Sequence, residues 1–248
     1  MKKRVVYSVF ALCLLMLSSC LGDPATSLTL ANQAGVVRTQ PLKVVYVKGG
    51  DVVSSEEFQK ANVDDGECIL FDYSIDMSLA PNTQEGITYR TATIYDNVMT
   101  EVSQWPMFTS LGDTVKPATD ELTLSLLQSR FSYIQGRLFL FTEMASHQTN
   151  QVDSFSLSYN PAQPVGEDNT YDLYLRSIML TAGTEQGKSM IIPCAFDIQK
   201  FMSSAKAVEA NGQQVVKVRL NYVSAFDKDT TKVIWKSIDN IDIEKPAN

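Results

Sequence analysis

Apolar and polar side chains alternate with a period of two along most of this chain, and that pattern commits it to β-sheet. The clearest stretch is residues 215–222. Val216, Val218, Leu220 and Tyr222 fall on one face there, and Lys217, Arg219 and Asn221 on the other. Such a row buries one side of a strand and solvates the other, whereas a helix would scatter the same residues around its circumference. Comparable runs occur at 42–47 (LKVVYV, ended by Gly49-Gly50), 67–75 (Ile69, Phe71, Tyr73 and Ile75 on one face) and 89–95 (YRTATIY). Others follow at 137–142 (RLFLFT), 154–159 (SFSLSY, ended by Asn160-Pro161), 190–196 and 232–235 (KVIW). Residues 171–180 (YDLYLRSIML) are apolar on both faces, which predicts a central strand. Helix is expected only in short connections. One or two turns fit 54–61, with Ser54 as N-cap and Glu57 three residues on, and a second piece fits 197–210, with Asp197 as N-cap. Residues 120–130 suit either state, because Leu122, Leu124 and Leu126 alternate while Leu122, Leu126 and Leu127 share a helix face. Short strands separated by turns indicate barrels and sandwiches.

The alternation lapses over 101–119, where Pro106, Gly112, Asp113 and Pro117 fall, so a domain boundary is expected near 113–118. A length of 248 residues accommodates two such domains.

The N-terminus has a different grammar. Lys2, Lys3 and Arg4 precede a thirteen-residue apolar run, 5–17, and then Leu17-Ser18-Ser19-Cys20. The run is shorter than the ~20 residues a membrane-spanning helix needs and matches the apolar core of an export signal. The last four residues resemble the lipobox of bacterial lipoproteins. That resemblance implies cleavage after Ser19, acylation of the Cys20 thiol and a chain held to the membrane by lipid. Localisation is then the cell envelope, at the periplasmic face or the outer surface of the outer membrane. Residues 1–19 read as the removed signal and 20–35 as a polar tether, 36–115 as the first domain and 116–248 as the second. Fifteen extended residues reach at most ~50 Å, enough to hold the fold clear of the headgroups. Losing Lys2, Lys3 and Arg4 leaves 18 basic residues against 28 acidic, a formal charge of −10. That balance argues against nucleic acid as a partner and against electrostatic attraction to anionic lipid.

The strand layout is similar to that of the NigD-like family of bacterial lipoproteins. The stretches carrying the resemblance are 36–47 (VVRTQPLKVVYV), 65–76 (DGECILFDYSID) and 89–96 (YRTATIYD) in the first half. In the second half they are 136–143, 152–161, 169–177, 194–201 and 215–223. The resemblance implies an N-terminal OB-like barrel followed by a C-terminal β-sandwich. It carries no catalytic motif, and its name implies a bacteriocin-immunity-type role.

Candidate chemistry is sparse. One histidine excludes sites that need two, so no metal is expected; no cofactor is expected either. Gly183-Thr-Glu-Gln-Gly187-Lys188-Ser189 has three residues between its glycines where a phosphate-binding loop needs four, and reads as a hairpin loop. His147, in a polar strand connection, is expected to be dispensable. Cys68 and Cys194 are expected to be free and buried, with a disulfide between them the alternative in an oxidising compartment. Acidic clusters at 64–67, at Glu167-Asp168 with Asp172, and at Asp227 with Asp229 read as solvated turns. Tyr46, Tyr73, Tyr89 and Tyr95 offer a sugar-stacking surface if they gather on one face, and half-buried packing if they do not. Trp105 and Trp235 read as packing residues. The expected function is non-catalytic: a lipid-anchored interaction module with a protein or glycan partner. Glycan or small-ligand binding is one alternative and a carboxylate-dependent hydrolase another.

Overall fold

The computed structural model describes residues 26–110 (at 96–98 the backbone alone), 115–163 and 169–245. Residues 1–19, read above as an export signal, and Cys20, Glu167 and Asp168 lie outside the described residues.

Six strands come first: Ser27–Arg38 (β1), Val44–Val47 (β2), Val52–Ser54 (β3), Cys68–Asp76 (β4), Asn82–Gln84 (β5) and Ile87–Glu101 (β6). Their order is β3-β2-β1-β4-β6, and a parallel pairing of β3 with β6, Val53 opposite Arg90, closes the ring. This is the five-stranded barrel of an OB fold; β5 stands outside it as a hairpin arm on β6. Alternation fills the interior with Val37, Val45, Val53, Ile69, Phe71, Tyr73 and Ile75, all buried. The expected helix at 54–61 is a single 3-10 turn, Phe58–Lys60. It is capped one residue later than expected, Ser55 Oγ accepting from the Phe58 amide at 2.9 Å. The turn exists to bury Phe58, whose ring plugs the barrel.

Eleven strands follow: Gln104–Thr109 (β7), Glu121–Leu122 (β8), Ser125–Leu126 (β9), Ser132–Ile134 (β10), Arg137–His147 (β11), Val152–Tyr159 (β12), Thr170–Thr181 (β13), Lys188–Asp197 (β14), Val208–Ala210 (β15), Gln213–Phe226 (β16) and Val233–Glu244 (β17). The ambiguous 120–130 segment resolves into the short strands β8 and β9 and a 3-10 turn, Gln128–Arg130. The strands form a sandwich made from one curled sheet. β10-β11-β14 make one layer, β12-β13-β16-β15 the other, and β17 extends the second from β16. β13 is central as expected, with β12 on one side and β16 on the other, but it buries one face only: Leu173 and Leu175 point into the core, while Asp172 and Arg176 lie on the other side in ion pairs. Leu138, Leu140, Cys194 and Phe196 of one layer face Leu157, Leu173, Leu175, Val216, Val218 and Leu220 of the other across the core. The one described α-helix, Gln199–Ser204 (α1), closes an end of that core with Phe201 and Met202. It is shorter than the 197–210 segment suggests; the Asp197 carboxylate accepts from the Gln199 amide at 3.1 Å.

Strand β7 joins the layers. Its first half pairs with β14 (Ala195 opposite Gln104), its second half with β12 (Met107 opposite Leu157), and Pro106 lies at the handover. A strand that changes sheets at a bend turns the corner of a sandwich, and a proline is tolerated where ladder pairing is interrupted.

The structure departs from the sequence reading at both domain boundaries. Pairing starts at Ser27, so 27–35, read as tether, form three quarters of β1. Residues 104–109, read as the end of the first domain, lie in the second sheet. The joint between domains is therefore Val102 and Ser103 alone. Val102 donates its amide to Cys68 O at 2.8 Å in the barrel, and Ser103 O accepts from the Ala195 amide at 3.0 Å in the sandwich. A third apolar cluster fills the seam: Ala34, Val36, Cys68 and Val102 from the barrel side pack on Ile134, Phe139, Phe141 and Ala195. Phe139 and Phe141 are almost wholly removed from water, each burial worth about 1.5–3 kcal/mol.

Candidate functional site

A cleft of about 240 Å³ opens where the β2–β3 loop of the barrel meets the sandwich. Its walls are Lys48 and Gly49 from the loop, Phe131, Ser132 and Tyr133 leading into and along β10, and residues 241–244 of β17. Gly49 and Gly50 both have positive φ, which lets the loop reverse tightly without a side chain projecting into the gap. Lys48 reaches across and donates from Nζ to Phe131 O at 3.2 Å, pinning barrel to sandwich. Ser132 is buried in β10, and its hydroxyl has no hydrogen-bond partner among the described residues. Asp242 and Glu244 flank the opening, and burial pushes the Tyr133 phenol above its usual range. The cleft thus presents one cation and two carboxylates beside apolar walls, with the unpartnered Ser132 hydroxyl buried behind its lining. A second depression of about 390 Å³ lies on the sandwich, and two of the hydroxyls lining it are already engaged: Ser125 Oγ donates to Glu143 at 2.9 Å and Ser224 Oγ to Ile234 O at 3.1 Å.

The other sequence candidates disperse. Tyr73 points into the barrel and stacks on Phe71 at 5.1 Å. Tyr46 packs into the domain seam, and Tyr95 lies outside with its hydroxyl 3.3 Å from Ser74 Oγ. Tyr89 is half-buried on β6 opposite Asn82 of the hairpin arm, and with Tyr73 inside the barrel and Tyr46 in the seam the four tyrosines make no common platform. Trp105 packs edge-on to Phe155 in the sandwich core, and Trp235 sits against Tyr174 with the Arg176 guanidinium 5.6 Å above its ring.

The 183–189 loop is not a hairpin. It crosses from β13 in one layer to β14 in the other, and a strand rather than a helix follows it. Its glycines permit close approach: a Cβ on Gly183 would lie 2.4 Å from Thr149 O, and one on Gly187 2.1 Å from Ser146 Oγ.

His147 ends β11 with Nε2 3.1 Å from Asp153 Oδ2, whose side chain is 2% exposed. His147 is thus the last residue of a strand, where the sequence reading put it in a polar connection. Cys68 and Cys194 are both free and buried; burial raises the Cys68 thiol to about 11 and pushes Cys194 higher still. At 64–67, Asp65 accepts from the Thr39 amide at 2.8 Å, which with Arg38 holds its carboxyl below the ordinary value. Asp172 pairs with Arg219 and Asn221, and Asp227 is enclosed by its own turn. Among the described residues no three His, Cys, Asp or Glu side chains converge as metal ligands would. A buried pair the sequence reading missed holds the start of the sandwich. Glu121, with no side-chain exposure, takes Arg176 Nε at 2.5 Å and Nη2 at 2.7 Å, a geometry no local pattern announces.

The barrel matches a lipoprotein OB domain. The family so described covers residues 25–98, which is β1 through most of β6. Solved structures extend the likeness beyond the OB domain. An uncharacterized protein from Parabacteroides merdae superposes with a TM-score of 0.63 at 20% identity, over 84% of this chain and 95% of that one. A candidate lipoprotein from Bacteroides fragilis gives 0.56 at 11%, over 86% and 98%. A NigD-like immunity protein from Bacteroides caccae is also similar, at 0.47 and 11% identity, over 87% and 93%. The first two show that the OB barrel and the curled sandwich recur together as one fold. No curated protein matches the chain. Among the described residues no helix is long and apolar enough to cross a membrane.

Proposed function

We propose that this chain is a non-catalytic, lipid-anchored binding module of the cell envelope, held by Cys20 and engaging its partner at the barrel–sandwich cleft. The observation that carries the reading is the buried Ser132 hydroxyl with nothing to bond. An unsatisfied buried hydroxyl costs about 1–3 kcal/mol, a cost recovered when a ligand supplies the missing partner. A volume of about 240 Å³ lies below the ~300–1,000 Å³ of pockets for drug-sized molecules, so the guest is a single protruding group. An inserted side chain of a protein partner fits that description. The resemblance to NigD-like lipoproteins makes an immunity-type interaction one form of it.

The test places a photo-crosslinking phenylalanine at Tyr133 in the full chain, in cells. A discrete protein adduct that Ser132→Leu abolishes supports the reading, and no adduct under any growth condition overturns it. The Asp242 and Glu244 carboxylates at the cleft, which can accept from sugar hydroxyls, also favour a second reading, a glycan guest. Saturation-transfer signals from a monosaccharide panel, lost in Ser132→Leu, would identify it. The anchor is tested separately: Cys20→Ser should move the chain from the detergent to the aqueous phase.

A further inference from the structure

The barrel's apolar interior does not stop at its end. Along β4 the inward row is Phe71, Tyr73 and Ile75, all buried, and β1 supplies the row across from it, Leu30 opposite Tyr73 and Leu28 opposite Ile75. Alternation carries the β4 row one step further, to Met77, whose amide donates to Thr26 O at 2.6 Å. There the cover ends: Leu28 is 43% exposed, Met77 50%, and Leu79, in the turn that follows, 56%. Exposed apolar residues scattered singly are ordinary surface, but three gathered at one barrel mouth form a patch.

The chain itself says what lies beside that mouth. Only six residues lead from Thr26 back to Cys20, and they span at most ~20 Å when fully extended. We infer that the barrel mouth rests on the lipid bilayer that holds the anchor, with Leu28, Met77 and Leu79 set into the boundary between headgroups and acyl chains. This inference rests on the Cys20 anchor proposed above. The contact is apolar rather than electrostatic, because the chain without residues 1–19 carries a formal −10. Asp76, the one carboxylate between Ile75 and Leu79, is engaged by its own turn, accepting from Ser78 N at 2.9 Å and Ser78 Oγ at 2.6 Å. Apolar side chains in such a position reach the boundary ~5–10 Å into the interface, a depth a short tether allows and a long one would not require.

The test uses the full acylated chain reconstituted into phosphatidylethanolamine–phosphatidylcholine vesicles whose acyl chains carry bromine, a contact quencher of tryptophan. In a Leu79→Trp variant, the emission added by the new indole should shift to the blue and be lost to the brominated lipid, while the emission of the unsubstituted chain is unchanged. With the unsubstituted chain, amide exchange at residues 26–30 and 76–80 should slow on vesicles relative to the detergent-dispersed protein. A chain that floats with the vesicles yet shows neither quenching nor slowed exchange overturns the docking and leaves the anchor standing. An unsubstituted chain that fails to float overturns both.

Discussion

Single residues here are best read by the buried charges they face. His147 is the plainest example. The Asp153 carboxylate is almost fully enclosed; Gln151 Nε2 donates to one oxygen at 2.9 Å, and the other, which has no hydrogen-bond partner among the described residues, has His147 Nε2 at 3.1 Å as its polar neighbour. His147→Ala should therefore lower stability by about 1–3 kcal/mol, read as a lower urea midpoint with an unchanged slope; an unchanged midpoint would remove the pair from the list of stabilising contacts. The sequence concealed this, because a lone histidine near a strand end looks the same whether its neighbour in space is water or a buried carboxylate. The cysteines were more legible. Each sits in an apolar run, ECILF or IIPCAF, and each is buried and unlinked.

Elements were legible wherever one face alone is buried. β4 follows its alternation closely; β16 follows it through Leu220 and then departs, Asn221 being buried where the pattern puts it in water; and β13 is central although only the Leu173–Leu175 face is fully buried, Asp172 and Arg176 lying on the other. Besides short three-residue strands such as β5 and β15, two longer ones were not legible, each for a physical reason. β1 carries Leu28 and Leu30 in alternation, but a bulge between Leu30 and Gln33 breaks the register and most of its first half is exposed. β7 contains a proline that reads as a terminator and acts as a corner. Turns hold elements together in ways that titrate. The Asp227 carboxylate accepts from Lys232 N at 2.9 Å, Thr231 N at 2.6 Å and Thr231 Oγ1 at 2.8 Å, closing the β16–β17 connection. Those bonds favour the ionised form, the Lys232 amide most, and hold the group below the ordinary 3.8. A carboxylate with a depressed native value stabilises the fold above the unfolded value and loses that effect as pH falls through the native one. Amide protection in the β16–β17 turn should thus be level from neutrality to about pH 4 and fall below it. Asp227→Ala should show the reduced protection at every pH; a variant that keeps the wild-type acid profile would assign the profile to another group.

At the scale of the whole molecule, the decisive fact is that the sandwich borrows its corner strand from a segment that the composition assigns to the barrel. A fragment beginning at residue 116 would lack β7 and leave the facing edges of β12 and β14 without their partner. Open edges of that kind recruit other chains. We expect such a fragment to aggregate and one beginning at residue 103 to remain soluble, distinguishable by light scattering at matched concentration; equal behaviour would show that β7 is dispensable to the sandwich. The candidate site belongs to this scale too. No motif marks the cleft, because its walls come from residues 48–49, 131–133 and 241–244, which only the packing of two domains brings together.

The two-residue joint has a mechanical consequence. Val102 is bonded into the barrel, Ser103 into the sandwich, and an apolar seam backs both. Such a joint has no slack to absorb a pull. A partner that tugs on the sandwich loads β7, then β6, then across the barrel ladders to β1, and from Thr26 the six residues to Cys20 pass the tension to the lipid. Where that cysteine is acylated, the molecule works as a strut rather than a leash: the height of the candidate cleft above the membrane is set by the length of a folded body, not by the wandering of a flexible chain.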